Sequence, residues 1–413
     1  MTDLREALTA WGDFDNDDPF PLFEALRRRG PVHEVTLVDG HDAWLVVGHA
    51  EARAALNDTR VSKDMQAALA RSGAVVAEGL PGPAYARHML VVDPPDHTRL
   101  RRLVAGAFLV RRVEALEDHV CRIVDERLDA IAAQGPDAVV DLVESFAFPL
   151  PFTVICELLG VPEPDRAPFG RSLSEMLVPT PTPEDFAAAK VASDRVVAYI
   201  EGLVDQKRAE PDDALVSALI QARDGDECLT EQELRSTIFQ LIIAGHDTTS
   251  SLIGNGVVAL LAHPGQLARI RDEPQLLANA VEELIRYDSP VPHSTFRYAL
   301  EPIELGGVTI PAGGQILVNL ASANRDGERY ADADILDLER QDVRHLGFGH
   351  GIHFCLGAPL ARMEGRLALG GLFVRFPSLR LAVPQEDLHW GHGDGLVLRG
   401  LTTLPVVAGP PAA

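Results

Sequence analysis

A single stretch of about thirty residues constrains the fold of this chain more than any other. Thr230-Glu231-Gln232-Glu233 is a capping box, with Thr230 as N-cap and Glu233 able to reach back to it. Apolar residues then continue through Ile238, Leu241, Ile242, Leu252, Ile253, Val257, Leu260 and Leu261, until His263-Pro264-Gly265 supplies a stop. These signals predict a helix roughly 45 Å long at 1.5 Å per residue, enough to cross a whole domain. Its centre, Ala244-Gly245-His246-Asp247-Thr248-Thr249-Ser250-Ser251, is polar and weakly helix-forming. Glycine in a helix interior costs about 1 kcal/mol relative to alanine, and Ser and Thr compete there for backbone hydrogen bonds. A long apolar helix that weakens at mid-length is a candidate functional site.

Around this helix the apolar spacing stays at three and four residues, and strands are suggested only at the margins. Val32 to Leu37 and Ala43 to Val47 flank Val38-Asp39-Gly40-His41-Asp42, a hairpin signal with glycine in the turn. A second β-rich stretch, Ile303 to Val318, is punctuated by Gly306-Gly307 and Pro311-Ala312-Gly313-Gly314. No regular strand–helix alternation occurs, which disfavours a Rossmann-type parallel sheet. The expected class is mainly α with small β-sheets. Neither a repeat nor a low-complexity linker divides the 413 residues, so 1–413 reads as one large domain, with 1–15 and 406–413 as loose termini.

Composition narrows the function classes. A net charge of −24 argues against nucleic acid and anionic membranes as partners. No stretch approaches the ~20 uninterrupted apolar residues of a spanning helix. The start, Met1 to Glu6, has neither a basic nor an apolar signal region, so a cytoplasmic protein is expected. Cys121, Cys156, Cys228 and Cys355 lie far apart with no CxxC spacing, which disfavours a zinc ribbon and a disulfide framework.

Phe348-Gly349-His350-Gly351-Ile352-His353-Phe354-Cys355-Leu356-Gly357 puts three glycines in ten residues, a backbone that turns tightly and approaches something closely. Pro359 suits the first turn of a helix, so Cys355 sits just ahead of a helix N-terminus. Backbone N–H groups and the helix dipole there stabilise a thiolate, and a lowered thiol pKa is expected. Most free cysteines are packing residues. Packing alone does not explain so dense a glycine loop, and the lack of partner cysteines argues against zinc or iron–sulfur.

This loop resembles the haem-binding loop of the cytochrome P450 monooxygenases at Phe348, Gly349, Gly351, His353, Cys355 and Gly357. Glu283-Leu284-Ile285-Arg286 is similar to the family's Glu-x-x-Arg helix, Ala244 to Thr249 to its oxygen-activation stretch, and His97-Thr98-Arg99-Leu100-Arg101 to its propionate-binding helix. All four occur in the family's order, and the resemblance spans about Asn16 to Pro405. It implies the P450 fold, with the long helix crossing a haem b (iron protoporphyrin IX). It also implies a monooxygenase that inserts one atom of O2, its co-substrate, into an apolar small molecule. The segment Pro149 to Pro162 resembles actinobacterial members that hydroxylate macrolides, other polyketides, steroids or vitamin D-like secosteroids. A peroxygenase, an epoxidase or a phenol-coupling enzyme is the alternative, and a haem-based sensor the non-enzymatic one.

The resemblance also implies roles. Cys355 is the metal ligand. His97, Arg101, Arg297 and His353 donate to the haem propionates, and Ala244, Gly245, Thr248, Phe348, Gly349 and Gly357 complete the cofactor contacts. On sequence alone His97 and Arg101, four apart, would equally fit a solvated basic helix face. Glu283 and Arg286 would be an ordinary surface pair; the resemblance makes them a buried network with Arg340. Asp247 and Thr248 become the proton-delivery pair, with Asp where many bacterial members carry Glu. Met89, Leu90, Val91, Ile243, Ala244, Val291 and Val397 are expected at the substrate pocket, while His293 is open between a substrate contact and a solvated loop residue. No flavin or nicotinamide motif is present, so electrons are expected from a ferredoxin and its NAD(P)H-linked reductase. Docking is expected on Arg99, Arg102, Arg111, Arg112, Arg362 and Arg366 of a monomeric enzyme.

Overall fold

In the computed structural model, which describes all residues except 1–3, 39, 66–86, 109, 177–182, 224–227, 392–395 and 413, the capping box forms as its sequence predicts. The Glu233 N–H donates to the Thr230 hydroxyl at 3.2 Å, and the Thr230 N–H donates to the Glu233 carboxylate at 2.9 Å. Arg99 adds a bond to the same carboxylate at 2.5 Å, anchoring the helix start to the His97 segment. The central helix runs from Glu231 to Ala262 without a break. Its polar centre does not open the backbone, because the side chains bond back along the helix. The Thr248 hydroxyl donates to the Ala244 carbonyl at 2.9 Å, and that of Ser251 to the Asp247 carbonyl at 2.8 Å.

The helices Pro149–Leu159, Leu277–Tyr287 and Ala358–Arg375 all pack against the central helix. At Gly245 a Cβ would come within 3.1 Å of Ile155, so the missing side chain lets the Pro149–Leu159 helix approach closely. Buried aliphatic and aromatic residues of these helices form one continuous core. Among the described residues, no single helix is long and apolar enough to cross a membrane.

The strands are β1 (Val32–Thr36), β2 (Asp42–Val46), β3 (Val61–Ser62), β4 (Val139–Asp141), β5 (Arg297–Ala299), β6 (Ile303–Leu305), β7 (Val308–Ile310), β8 (Gln315–Val318), β9 (Arg380–Leu381) and β10 (Pro405–Val407). β1 and β2 form the expected hairpin, with Val32 opposite Val46. They join a sheet in the order β1-β2-β8-β5-β3, where β2 and β8 run parallel. The second stretch also forms as expected, with β6 and β7 as an antiparallel pair. The architecture is mainly helical with small sheets, in one domain.

Among the described residues, Trp11 and the Val406–Val407 pair correct the expectation that the two ends are loose. Trp11 is fully buried and its N–H donates to the Thr36 carbonyl at 2.8 Å. Val406 and Val407 pair with Val140 and Val139 on one side and with Leu381 and Arg380 on the other. The C-terminal run completes a sheet whose partners lie far away in sequence, and Trp11 bridges to Leu37 beside β1, so unpaired backbone at either place would be costly.

Candidate active site

Gly349 and Gly351 adopt φ of +74° and +73°, the left-handed region that favours glycine, and so let the cysteine loop double back. A Cβ on Gly351 would lie 2.8 Å from the Leu56 carbonyl oxygen. The turn is closed by the Gly349 N–H donating to Leu346 at 2.7 Å and the Cys355 N–H donating to Phe348 at 2.8 Å. The Phe348 ring packs against Leu252, Val281 and Ile285, with the Arg362 guanidinium 4.5 Å above it. Pro359 stands in the first turn of the helix that follows.

The Gly357 and Ala358 N–H groups point at the Cys355 sulfur, as a helix N-terminus should. The expected lowering of its thiol pKa does not result, however. Burial pushes the Cys355 thiol up and outweighs the two N–H groups and the nearby Arg101 and Arg362 cations. The side chain is surrounded by protein and still accessible. Ala244 is likewise exposed, and Thr248 partly so, on a helix whose flanking residues Ile242, His246 and Asp247 are buried.

A cluster of hydrogen-bond donors gathers near this loop. The His97 and His353 rings lie 4.3 Å apart between centroids. Both His97 ring nitrogens and the Arg297 Nε are buried without a protein partner. Burial, then the cations Arg297, His97, Lys63 and Arg101, hold the His353 ring down to about 2. Burial brings Arg297 down to about 10 against the pull of Asp93. Arg101 donates to the Phe354 carbonyl at 2.8 Å, which ties the helix Asp96–Ala105 to the cysteine loop.

Sequence reasoning missed Lys63. Its side chain is 4% exposed and its ammonium donates to the Phe296 carbonyl at 3.2 Å and to the Thr295 hydroxyl. Burial and then Arg297 hold it well below the usual lysine range. Its place follows from β3 pairing with β5, the strand that begins at Arg297. A lone lysine after a two-residue strand carries no local signal of this.

The Glu283 network forms as a buried unit. The Arg286 guanidinium grips the Glu283 carboxylate with two bonds, at 2.7 and 2.8 Å. Arg340 reaches both oxygens at 3.2 Å, and the Asp337 N–H adds a bond at 3.0 Å. The guanidiniums also donate to the Asn324, Ala331, Asp332, Ala333 and Ile335 carbonyls, fixing the irregular stretch 331–340 to the helix Leu277–Tyr287. All five Arg286 N–H groups and both Glu283 oxygens have partners, which a buried ion pair needs if it is to be tolerated.

A family model described as Cytochrome P450 matches residues 172–389. The cytochrome P450 monooxygenase PikC of Streptomyces venezuelae is 47% identical over 390 residues, covering 94% of this chain and 91% of PikC. The vitamin D(3) 25-hydroxylase of Pseudonocardia autotrophica is 42% identical over 98% of this chain and 100% of its own length. Among solved structures, the cytochrome P450 PksS of the Bacillus subtilis 168 bacillaene polyketide synthase aligns with a TM-score of 0.87 at 37% identity, covering 95% of this chain and 97% of that one.

The chain belongs to the cytochrome P450 family.

It is a P450 monooxygenase, and the family uses haem and O2. The residues present fit a haem. Buried donors without acceptors at His97 and Arg297 match a cofactor that carries two carboxylates. An accessible thiol with N–H groups behind it would suit a soft ligand to the iron of such a group.

Other expected P450 residues are sorted by burial. Leu90, Ile243, Val291 and Val397 are partly exposed, whereas Met89 is buried in the main core. His293 is neither a substrate contact nor a solvated residue. Its Nδ1 pairs with the Leu396 carbonyl at 2.8 Å, and the rings of Trp11, Phe14 and Phe23 surround it, so burial pulls it down to about 4. Its role in this P450 is to join the N-terminal aromatic cluster to the late turn. Of the arginines expected at a docking face, Arg99 is paired with Glu233, Arg362 with Glu282 and Arg366 with Glu117, while Arg111 and Arg112 are exposed.

Proposed function

We propose that this P450 binds haem b through Cys355 and hydroxylates a macrolide, another polyketide or a steroid-like molecule. The observation that carries the haem assignment is the accessible Cys355 sulfur next to buried, acceptorless donors at His97 and Arg297. His97, Arg101, Arg297 and His353 would hold the propionates, with Lys63 adding positive charge behind them. When bound, the haem supplies the oxidising power for inserting one oxygen atom, and a thiolate ligand favours O–O cleavage. The chain's own residues would bind and orient the substrate, keep water out and deliver protons. Asp247 would pass protons to the Thr248 hydroxyl, which lies one turn from the exposed Ala244. A peroxide-driven enzyme needs no such pair, which favours the O2-dependent reading. A relative 44% identical over 97% of this chain is named 6-deoxyerythronolide B hydroxylase, and one 42% identical over 98% is named vitamin D(3) 25-hydroxylase, which supports the substrate class. Spectral titration of the holoenzyme with macrolides, steroids and flavonoids, followed by turnover of the binders, tests it. The expected result is a high-spin shift and a hydroxylated product with a polyketide lactone or a steroid. Binding and turnover confined to flavonoids would contradict it.

Electrons would come from a ferredoxin served by an NAD(P)H-linked reductase. With Arg99, Arg362 and Arg366 engaged by carboxylates, the docking charge would centre on Arg111 and Arg112. Exposed charges are screened beyond about 8 Å at physiological salt, so the reduction rate is expected to fall as ionic strength rises. Stopped-flow reduction by ferredoxin checks this, and replacing both arginines with alanine is expected to flatten the salt dependence.

A further inference from the structure

His246 lies beside Asp247 on the central helix and is 1% exposed. Its Nδ1 is 2.7 Å from the Ile242 carbonyl oxygen. A carbonyl only accepts, so Nδ1 must carry a hydrogen, which fixes the ring's tautomer whenever it is neutral. The other nitrogen, Nε2, then faces the Asp247 carboxylate, 3.2 Å from Oδ1, with both side chains no more than 2% exposed. A bare nitrogen and a bare carboxylate oxygen that close, away from water, would bring two lone pairs together. One proton therefore resides between them, as imidazolium beside carboxylate or as neutral ring beside carboxylic acid. The Phe148 and Phe152 rings meet the imidazole edge-on, with centroids 5.4 and 5.6 Å away. They keep water from that side and offer the proton no acceptor.

We infer that His246 and Asp247 together store the proton that the Asp247–Thr248 relay hands on, with His246 as the positioning and reloading residue. The inference rests on the relay proposed above and extends it by one residue. The step is the transfer of that one proton along an existing contact: from Nε2 of the imidazolium to Asp247 and from Asp247 toward Thr248, leaving an Nδ1–H imidazole beside a carboxylate until solvent returns one proton to the pair.

The test uses the holoenzyme with a ferredoxin, its reductase and NADPH, without added substrate. Reduction of O2 to peroxide consumes NADPH and O2 equally, whereas reduction to water consumes more NADPH than O2 and needs further protons. His246→Asn keeps an N–H for the Ile242 carbonyl but has nothing in place of Nε2. His246→Gln offers an N–H to Asp247 but cannot give up a proton. Both are expected to bring consumption to equality and to raise the peroxide yield several-fold over wild type. Wild-type partition in His246→Asn, or its restoration in His246→Gln, would overturn the inference, because holding Asp247 in place would then suffice. Thr248→Ala separates the two levels. If it leaves the partition unchanged, the relay itself fails; if it uncouples while the His246 variants do not, only the inference fails. A readout independent of turnover is 15N NMR of histidine-labelled wild-type enzyme in the reduced carbon monoxide complex. A proton on Nδ1 of His246 is expected, and a ring protonated at Nε2 alone would overturn the assignment.

Discussion

Replacing Glu283 with alanine is expected to give protein that does not incorporate haem. The Glu283 carboxylate is fully buried and is the counter-charge for two guanidiniums, Arg286 and Arg340. Arg286 has no exposure to water with which to compensate the loss. Breaking one partner out of such a buried pair costs roughly 3–5 kcal/mol, a large share of the 5–15 kcal/mol that typically separates a folded domain from its unfolded chain. The damage is directed at the site. The network pins the stretch 331–340, and the cysteine loop follows it a few residues later. Asn324, whose carbonyl accepts from Arg286, also accepts the Leu346 N–H on its side chain at 2.7 Å, at the root of that loop. Haem content per chain and soluble yield are the measurements. Glu283→Gln keeps the volume but loses the charge, and is expected to fall between wild type and alanine. A soluble, fully haem-loaded Glu283→Ala protein would contradict the structural role.

Thr248→Ala is expected to leave NADPH consumption within a few-fold of wild type while product gives way to hydrogen peroxide. Proton transfer by a positioned side chain contributes typically about 10²–10⁴-fold, so product formed per NADPH should fall by roughly 100-fold if no water takes over. The helix itself should tolerate the change. Among the described residues the Thr248 hydroxyl bonds back to the Ala244 carbonyl of its own helix, and alanine is the strongest helix former. Thr248→Ser keeps the hydroxyl and is expected to stay coupled. Unchanged coupling in Thr248→Ala would remove Thr248 from the relay.

Features written in neighbouring residues were legible in the sequence. The capping box at Thr230, the β1–β2 hairpin, the three-residue spacing of Glu283 and Arg286, and the glycine turn around Cys355 each arise from bonds between residues close in sequence. Features set by distant packing were not. Lys63 is buried because β3 pairs with β5 more than two hundred residues later, and His293 because an N-terminal aromatic cluster closes over it. The Val406 and Val407 strand needs partners near residues 140 and 380. The Cys355 thiol illustrates both. The local argument from the helix N-terminus identified the N–H groups on the sulfur correctly. Desolvation, a property of the whole surrounding fold, sets the net direction. His246 belongs with these, since its burial against Phe148 and Phe152 is set by a distant helix.

The assignment of Cys355 as the iron ligand is tested most directly by the absorption spectrum of the reduced, carbon monoxide-bound holoenzyme. Iron held by the Cys355 thiolate is expected to give a strongly red-shifted Soret band in the wild type. Cys355→His should either fail to retain haem or give an unshifted band. An unshifted band from fully haem-loaded wild-type protein, or a red-shifted one from Cys355→His, would contradict it.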